Sequence, residues 1–149
     1  MNEAQLLRMI DAQRDQINAL IAEGNCDRSV YLAAPLTSVA WDGDSYSTTA
    51  KTLIDLSAVF GVPAQVRWVD VYVYIRDSAS AATSPYLVLS PNAVAFSGPA
   101  FSCVPVDDRW AQLGVHRIPC DANGDIYYQI VASGADTFDV IMQVWGYGW

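Results

Sequence analysis

A chain of 149 residues holds one domain with an appendage, and a hydrophobic fraction of 52% with 11% aromatics is enough for a packed core and excludes a disordered chain. A net charge of −8 without a basic patch excludes nucleic acid and anionic membrane surfaces as partners, and no run approaches the ~20 apolar residues of a membrane span. Charged residues make up only 16% of the chain, and seven of the eight basic residues are arginines, with Lys51 the one lysine. A lightly charged surface rich in Tyr, Trp and Arg and poor in Lys has the composition of an interface.

In chain order, residues 3–23 read as a helix. Asn2 can cap it with Gln5 three positions on, and Gly24-Asn25 stops it. Leu6, Ile10, Gln13, Ile17 and Leu20 follow the alternating four-and-three spacing of a heptad seam, with Ile10 and Ile17 at a and the other three at d. Leu7, Met9 and Ile21 widen the stripe beyond what a two-stranded coil covers, which points to three helices or to packing on another surface. At 1.5 Å per residue the rod is only about 30 Å long, too short to hold an oligomer alone. An amphipathic helix lying on its own β domain is the alternative reading. Asn2 and Glu3 precede no basic region followed by an apolar run, so no secretory signal is expected.

From about Ser29 the chain turns to Val, Tyr, Thr and Ser, with turn signals every 8–12 residues as in a sandwich or jelly roll. The expected fold class is therefore mainly β: an N-terminal, coiled-coil-like helix over residues 1–25 for oligomerisation or anchoring, then an antiparallel β-sandwich or jelly roll over 26–149. Short strands are predicted at Val30–Ala33, Ser38–Trp41, Thr52–Leu56, Tyr86–Ser90 and Val94–Phe96. The clearest strand is Val66–Arg76, with Val69, Val71, Val73 and Ile75 on a core face and Trp68, Asp70, Tyr72 and Tyr74 on an aromatic-polar face for a subunit contact or ligand. Ser78–Ser84 is a small-residue loop. Later strands alternate Ile126, Tyr128, Ile130 and then Phe138, Val140, Met142, Val144 with polar and aromatic neighbours. Trp145, Tyr147 and Trp149 crowd the chain end, and each aromatic can bury about 150–250 Å². They are expected to dock on the β domain or a neighbouring subunit, with a sugar-binding platform as the rival.

Catalytic chemistry finds little purchase. The single histidine, His116, has no nucleophile-elbow sequence to serve and reads as a strand or loop residue. One histidine also rules out the common His-rich metal sites. Asp42/Asp44, Asp107/Asp108 and Asp121/Asp125 are carboxylate pairs whose separation across a cleft the sequence cannot supply. Asp121-Ala122-Asn123-Gly124-Asp125 is similar to the start of a calcium loop, but Ile126 and Ala132 stand where that loop needs Gly and Glu, so a hairpin turn is expected. Cys26, Cys103 and Cys120 lack the close spacing of a disulfide framework or zinc site, and a Cys103–Cys120 pair stays open. No catalytic residue, cofactor or metal is expected.

Several runs carry a resemblance. They are Thr52-Leu53-Ile54-Asp55-Leu56-Ser57, Gly61-Val62-Pro63-Ala64, Val69 through Ser78, Asp121-Ala122-Asn123-Gly124-Asp125-Ile126 and Val144-Trp145-Gly146-Tyr147. Together, over roughly residues 50–149, they resemble the β domain of small tailed-bacteriophage virion proteins, in which a β-sandwich knob follows a short oligomerising helix. The resemblance implies a virion location, a non-enzymatic role as capsid decoration or fibre knob, threefold self-assembly and contact with other virion proteins. It transfers no functional residue. A carbohydrate- or receptor-binding module of the tail-fibre lectin kind, stacking a surface glycan on exposed Trp and Tyr, is the alternative, followed by a polysaccharide-acting enzyme.

Overall fold

The computed structural model describes residues 5, 10–16, 28–43 and 50–149. Residues 10–16 are helical, inside the helix expected over 3–23. Ile10 and Gln13 lie in this stretch, and Ile10 is 51% exposed. Leu6, Ile17 and Leu20, with the flanking Leu7, Met9 and Ile21, the Gly24-Asn25 stop, Cys26 and Asp44, lie outside the described residues.

The rest is mainly β. Among the described residues there are eight strands, β1 (Ser29–Leu36), β2 (Thr52–Ile54), β3 (Trp68–Asp77), β4 (Tyr86–Ser90), β5 (Ala100–Ser102), β6 (Ala111–Pro119), β7 (Ile126–Val131) and β8 (Phe138–Gly148), with a short helix, α1 (Leu56–Phe60), between β2 and β3. They form two four-stranded antiparallel sheets, ordered β1-β8-β3-β6 and β2-β7-β4-β5. The pairings are nested: β4 with β5, β3 with β6, β2 with β7 and β1 with β8. The chain is thus one long hairpin whose successive rungs alternate between sheets, and β8–β3 and β7–β4 pairing closes each sheet.

Alternation in β3 works as the period-two pattern requires. Val69, Val71, Val73 and Ile75 are completely buried, and their branched side chains fill the pleat well. They join Phe138, Val140, Met142 and Val144 of β8 in one core cluster with Ile54, Leu87, Leu89, Ile126, Tyr128 and Ile130 of the second sheet. Trp41 packs on this core, its ring 6.2 Å from Phe60 and 5.8 Å edge-on from Tyr128.

The structure corrects several expectations. Ser38–Trp41 is no strand: the Ser38 hydroxyl accepts from the amides of Ala40 and Trp41 and bends the chain. β2 ends at Ile54 rather than Leu56, because the Asp55 side chain accepts from the Ala58 amide and starts α1. Gly61, at φ 73°, ends that helix. Val94–Phe96 belongs to a loop that folds over the outer side of the second sheet, where Phe96 N donates to Gln129 Oε1 and Lys51 Nζ to Ser90 Oγ and Ser97 O. That cover explains why Gln129 and Ser90 are fully buried although they point away from the core. The Asn123-Gly124 turn joins β6 to β7, which lie in different sheets, so it is an arch between layers and not a hairpin. Gly124 is required there at φ 95°, with Gln65 N 2.6 Å from where a Cβ would stand.

Candidate functional site: the outer face of the first sheet

On the outer side of β1-β8-β3-β6, pairing aligns Tyr31, Gly146, Asp70 and Arg117 in one row and Ser29, Gly148, Trp68 and Pro119 in the next. Arg117 grips Asp70 with Nε 2.9 Å from Oδ1 and Nη2 3.0 Å from Oδ2, a bidentate fork, and Nη2 donates to the Tyr31 hydroxyl at 3.4 Å. Asp70 and then Tyr31 hold the guanidinium more firmly protonated than a free arginine. The guanidinium carbon lies 3.6 Å over the Trp68 ring. Trp68 in turn covers Gly148, where a Cβ would come within 2.3 Å of the indole. Glycine at 148 is what lets the indole lie flat against β8.

Further along the face, Tyr72 stands opposite Gln143 and Val115, and Tyr74 opposite Ile141 and Gln112. The two tyrosine rings are 4.6 Å apart, and the hydrogen bond with Tyr74, then burial, raises the Tyr72 pKa. Val115 is 53% exposed and Ile141 47%. At the far end Arg76 pairs with Asp139 and, at 3.2 Å, with Asp108, and lies 4.9 Å from the Trp110 ring centroid.

The six aromatics singled out in the sequence divide into two groups. Trp68, Tyr72 and Tyr74 share the outer face as expected, and Trp145 reaches it through a hydrogen bond from Nε1 to Gln143 Oε1 at 3.3 Å. Tyr147 and Trp149 do not. Asp70 pairs with Gly146 but Val71 with Val144, so Trp145 is an extra, bulged residue that reverses the alternation. Tyr147 consequently opposes Val69 and packs with Trp149 against the core, the two rings edge-on at 5.6 Å. Trp149 N donates to Arg28 O, and Arg28 lies 5.9 Å from the Trp149 ring. The tail is docked on its own domain, as one of the two docking readings had it. The sequence reading missed Tyr31, Arg117 and Val115. The Val115–Ile118 alternation was the available signal, but Gly114, at φ 80° in a bulge of β6, breaks the strand pattern.

Of the residues weighed for chemistry, Asp107, Asp121 and Asp125 accept from backbone amides, and Asp108 pairs with Arg76. Asp121 Oδ1 accepts from the amides of Asn123 and Asp125, and Asp125 Oδ1 from that of Leu56 at 3.0 Å. Burial, with the neighbouring Asp55 and Asp121 carboxylates, raises the Asp125 pKa. Among the described residues no group of three or more His, Cys, Asp or Glu is placed to hold a metal ion. His116 faces inward, edge-on to Phe101 at 4.9 Å, with Nε2 2.5 Å from Leu113 O. Cys103 and Cys120 are free thiols, and burial pushes each up to about 12, far from a reactive thiolate. Among the described residues no helix is long and apolar enough to cross a membrane.

No protein-family model matches the chain, and no curated protein matches it.

Proposed function

We propose that this protein is a non-enzymatic virion structural protein, a capsid-decorating or fibre-knob homotrimer whose β domain is a sandwich of the jelly-roll type. The nested order β1-β8-β3-β6 against β2-β7-β4-β5 carries the reading, since an eight-stranded hairpin rolled into two sheets is an architecture used by viral capsid and lectin domains. The heptad seam of Leu6, Ile10, Gln13, Ile17 and Leu20, read from sequence, supplies an association helix ahead of the knob. The engagement of Asp121, Asp125 and His116 in turns and packing supports a non-enzymatic role. Washed virions of the phage that encodes the chain should contain it in a fixed copy number divisible by three, measured by quantitative mass spectrometry. Its absence from washed virions would overturn the reading.

The sugar-binding alternative is favoured by one observation, the 71% exposure of Tyr31 beside the Asp70–Arg117 pair. Against it, Arg117 occupies the Trp68 ring and Tyr72 is engaged with Tyr74, so two of the expected stacking platforms are already in use. Glycan-array binding by the isolated protein separates the two readings.

A further inference from the structure

We propose that Asn123 is a site of spontaneous deamidation that the arch between β6 and β7 holds shut. The Asn123–Gly124 linkage converts to isoaspartate when the arch opens, and the altered chain no longer closes it. Asn123 is the one asparagine of the sequence followed by glycine. With no Cβ at 124 to obstruct the approach, the Gly124 amide nitrogen gives its proton to hydroxide and attacks Asn123 Cγ. A bond from that nitrogen to Cγ forms, the bond from Cγ to the side-chain nitrogen breaks, and ammonia leaves with a proton taken from water. Water then opens the five-membered imide. Cleavage at Cγ gives aspartate, and cleavage at the main-chain carbonyl carbon gives isoaspartate, whose backbone runs through the former side chain. Nothing is oxidised or reduced, and water with its hydroxide is the only reactant.

The arch controls this chemistry through the peptide unit that must react. Asn123 is exposed, so water reaches its amide, whereas Gly124, the attacking residue, is buried. Both ends of the unit between them are engaged: Asn123 O accepts from Gln65 N at 2.8 Å, and Gly124 N donates to Asp121 O at 3.2 Å. The second bond makes Asn123 the third residue of a β-turn, where ψ is about 0°. Ring closure needs the unit rotated until its nitrogen meets the side chain, which breaks both bonds. The preceding unit is fixed as well, because Asp121 Oδ1 accepts from Asn123 N at 2.9 Å and from Asp125 N at 3.0 Å. Gly124 has no room to swing, with Gln65 N 2.6 Å and Val66 N 2.9 Å from where a Cβ would stand. Reaction therefore waits for the arch to open, and connecting segments open at lower free energy than core strands. The product does not fit back. Isoaspartate adds one carbon to the main chain between Asn123 N and Gly124 N, both tied to Asp121, and turns the carbonyl that accepts from Gln65 into a free carboxylate. That new charge stands between Asp121 and Asp125 in the chain.

The test is peptide mass spectrometry of the full chain after incubation in warm, mildly alkaline buffer, with isoaspartate told from aspartate by electron-transfer fragmentation. In denaturant, Asn123 should deamidate ahead of Asn92, which precedes alanine; an Asn123 that stays intact there overturns the site. The native chain should react at Asn123 about tenfold more slowly or less, in proportion to how seldom the arch is open. Equal rates in the native and unfolded chain overturn the protection. Asp121→Ala, with its near-ultraviolet aromatic signal intact, removes the acceptor of two arch amides and should raise the native rate severalfold. An unchanged rate overturns the arch as the gate. If that variant does not fold, wild type at sub-denaturing concentrations of denaturant decides: deamidation should rise in step with hydrogen exchange at the Gly124 amide, and a rise without it overturns the gate. Chain deamidated in denaturant, refolded and separated by ion exchange is then compared with Asn123→Asp, which adds the charge and keeps the backbone. The isoaspartyl form should melt below Asn123→Asp, and equal melting temperatures overturn the claim that the product no longer closes the arch.

Discussion

Asp77 ends β3 with no exposure, and its carboxylate accepts from Ser133 N at 2.9 Å, Ser133 Oγ, Thr137 Oγ1 at 3.1 Å and Ala79 N at 2.9 Å. One side chain therefore ties the loop after β3 to the loop before β8. Burial pushes this carboxyl up, but the bonds from Ser133, Ala79 and Thr137 outweigh it and hold the pKa below the ordinary 3.8. The sign follows from linkage: the contribution is complete above 3.8 and is lost as pH falls through the lower folded value. Asp77→Ala leaves several buried donors without an acceptor and should cost about 3 kcal/mol in denaturant unfolding at neutral pH. A change below 0.5 kcal/mol, roughly the scale of ordinary surface substitutions, would show the loops to be held by other contacts. Asp125 works with the opposite sign. Its folded pKa is raised by burial and by Asp55 and Asp121, so its ionisation weakens the fold as pH rises from 3.8 through the folded value. Asp125→Asn keeps an oxygen for Leu56 N and removes the charge, so its Tm should exceed wild type at pH 7 and converge with it below 3.8. A lower Tm at pH 7 would refute that account.

Strand β8 organises the first sheet, since it pairs with both β1 and β3. Its last residues carry much of this: Gly146, Tyr147 and Gly148 oppose Tyr31, Val30 and Ser29 on one side and Asp70, Val69 and Trp68 on the other. The bulge at Trp145 decides what each side chain does, turning Tyr147 to the core and leaving Gly148 beneath Trp68 and Gly146 beside Asp70 and Tyr31. Opposite it, β1 runs Leu32–Pro35 out of register before Leu36 pairs again with Val144. Deleting residues 145–149 removes these pairings and the packing of two aromatics, a loss of several kcal/mol at ~25 cal/mol per Å² of buried apolar surface. The melting temperature should fall steeply. A truncated protein with unchanged melting temperature and mass would mean that the tail contributes nothing to the sheet.

For the molecule as a whole, the two ends of the β domain emerge side by side, with Trp149 N bonded to Arg28 O and Arg67 N to Gly148 O. Ile10→Asp with Ile17→Asp places carboxylates in the predicted seam, where an unpaired buried charge costs several kcal/mol or forces separation. The variant should lose mass in light scattering and keep the near-ultraviolet signal of the β domain. If the aromatic signal vanished too, the helix would be part of the domain core.

Period-two patterns in β3, β7 and β8 were legible in the sequence because alternate side chains of each strand are the apolar ones that fill the core. The Tyr72–Tyr74 face followed from the same rule. Strands β5 and β6 were not legible: one has three residues, and the other is broken by the Gly114 bulge, so neither repeats long enough to show a period. Ser38–Trp41 and Val94–Phe96 carry strand-like residues, but local side-chain acceptors and the covering loop claimed their backbones instead. The sequence by itself determined the mainly β class and the core face of β3. Only the tertiary structure decided that Asn123-Gly124 bridges two layers, that a single bulged Trp145 turns Tyr147 inward, and that Arg117 closes over Trp68. Each depends on which strand lies alongside, and that neighbour is chosen by contacts distant in the chain.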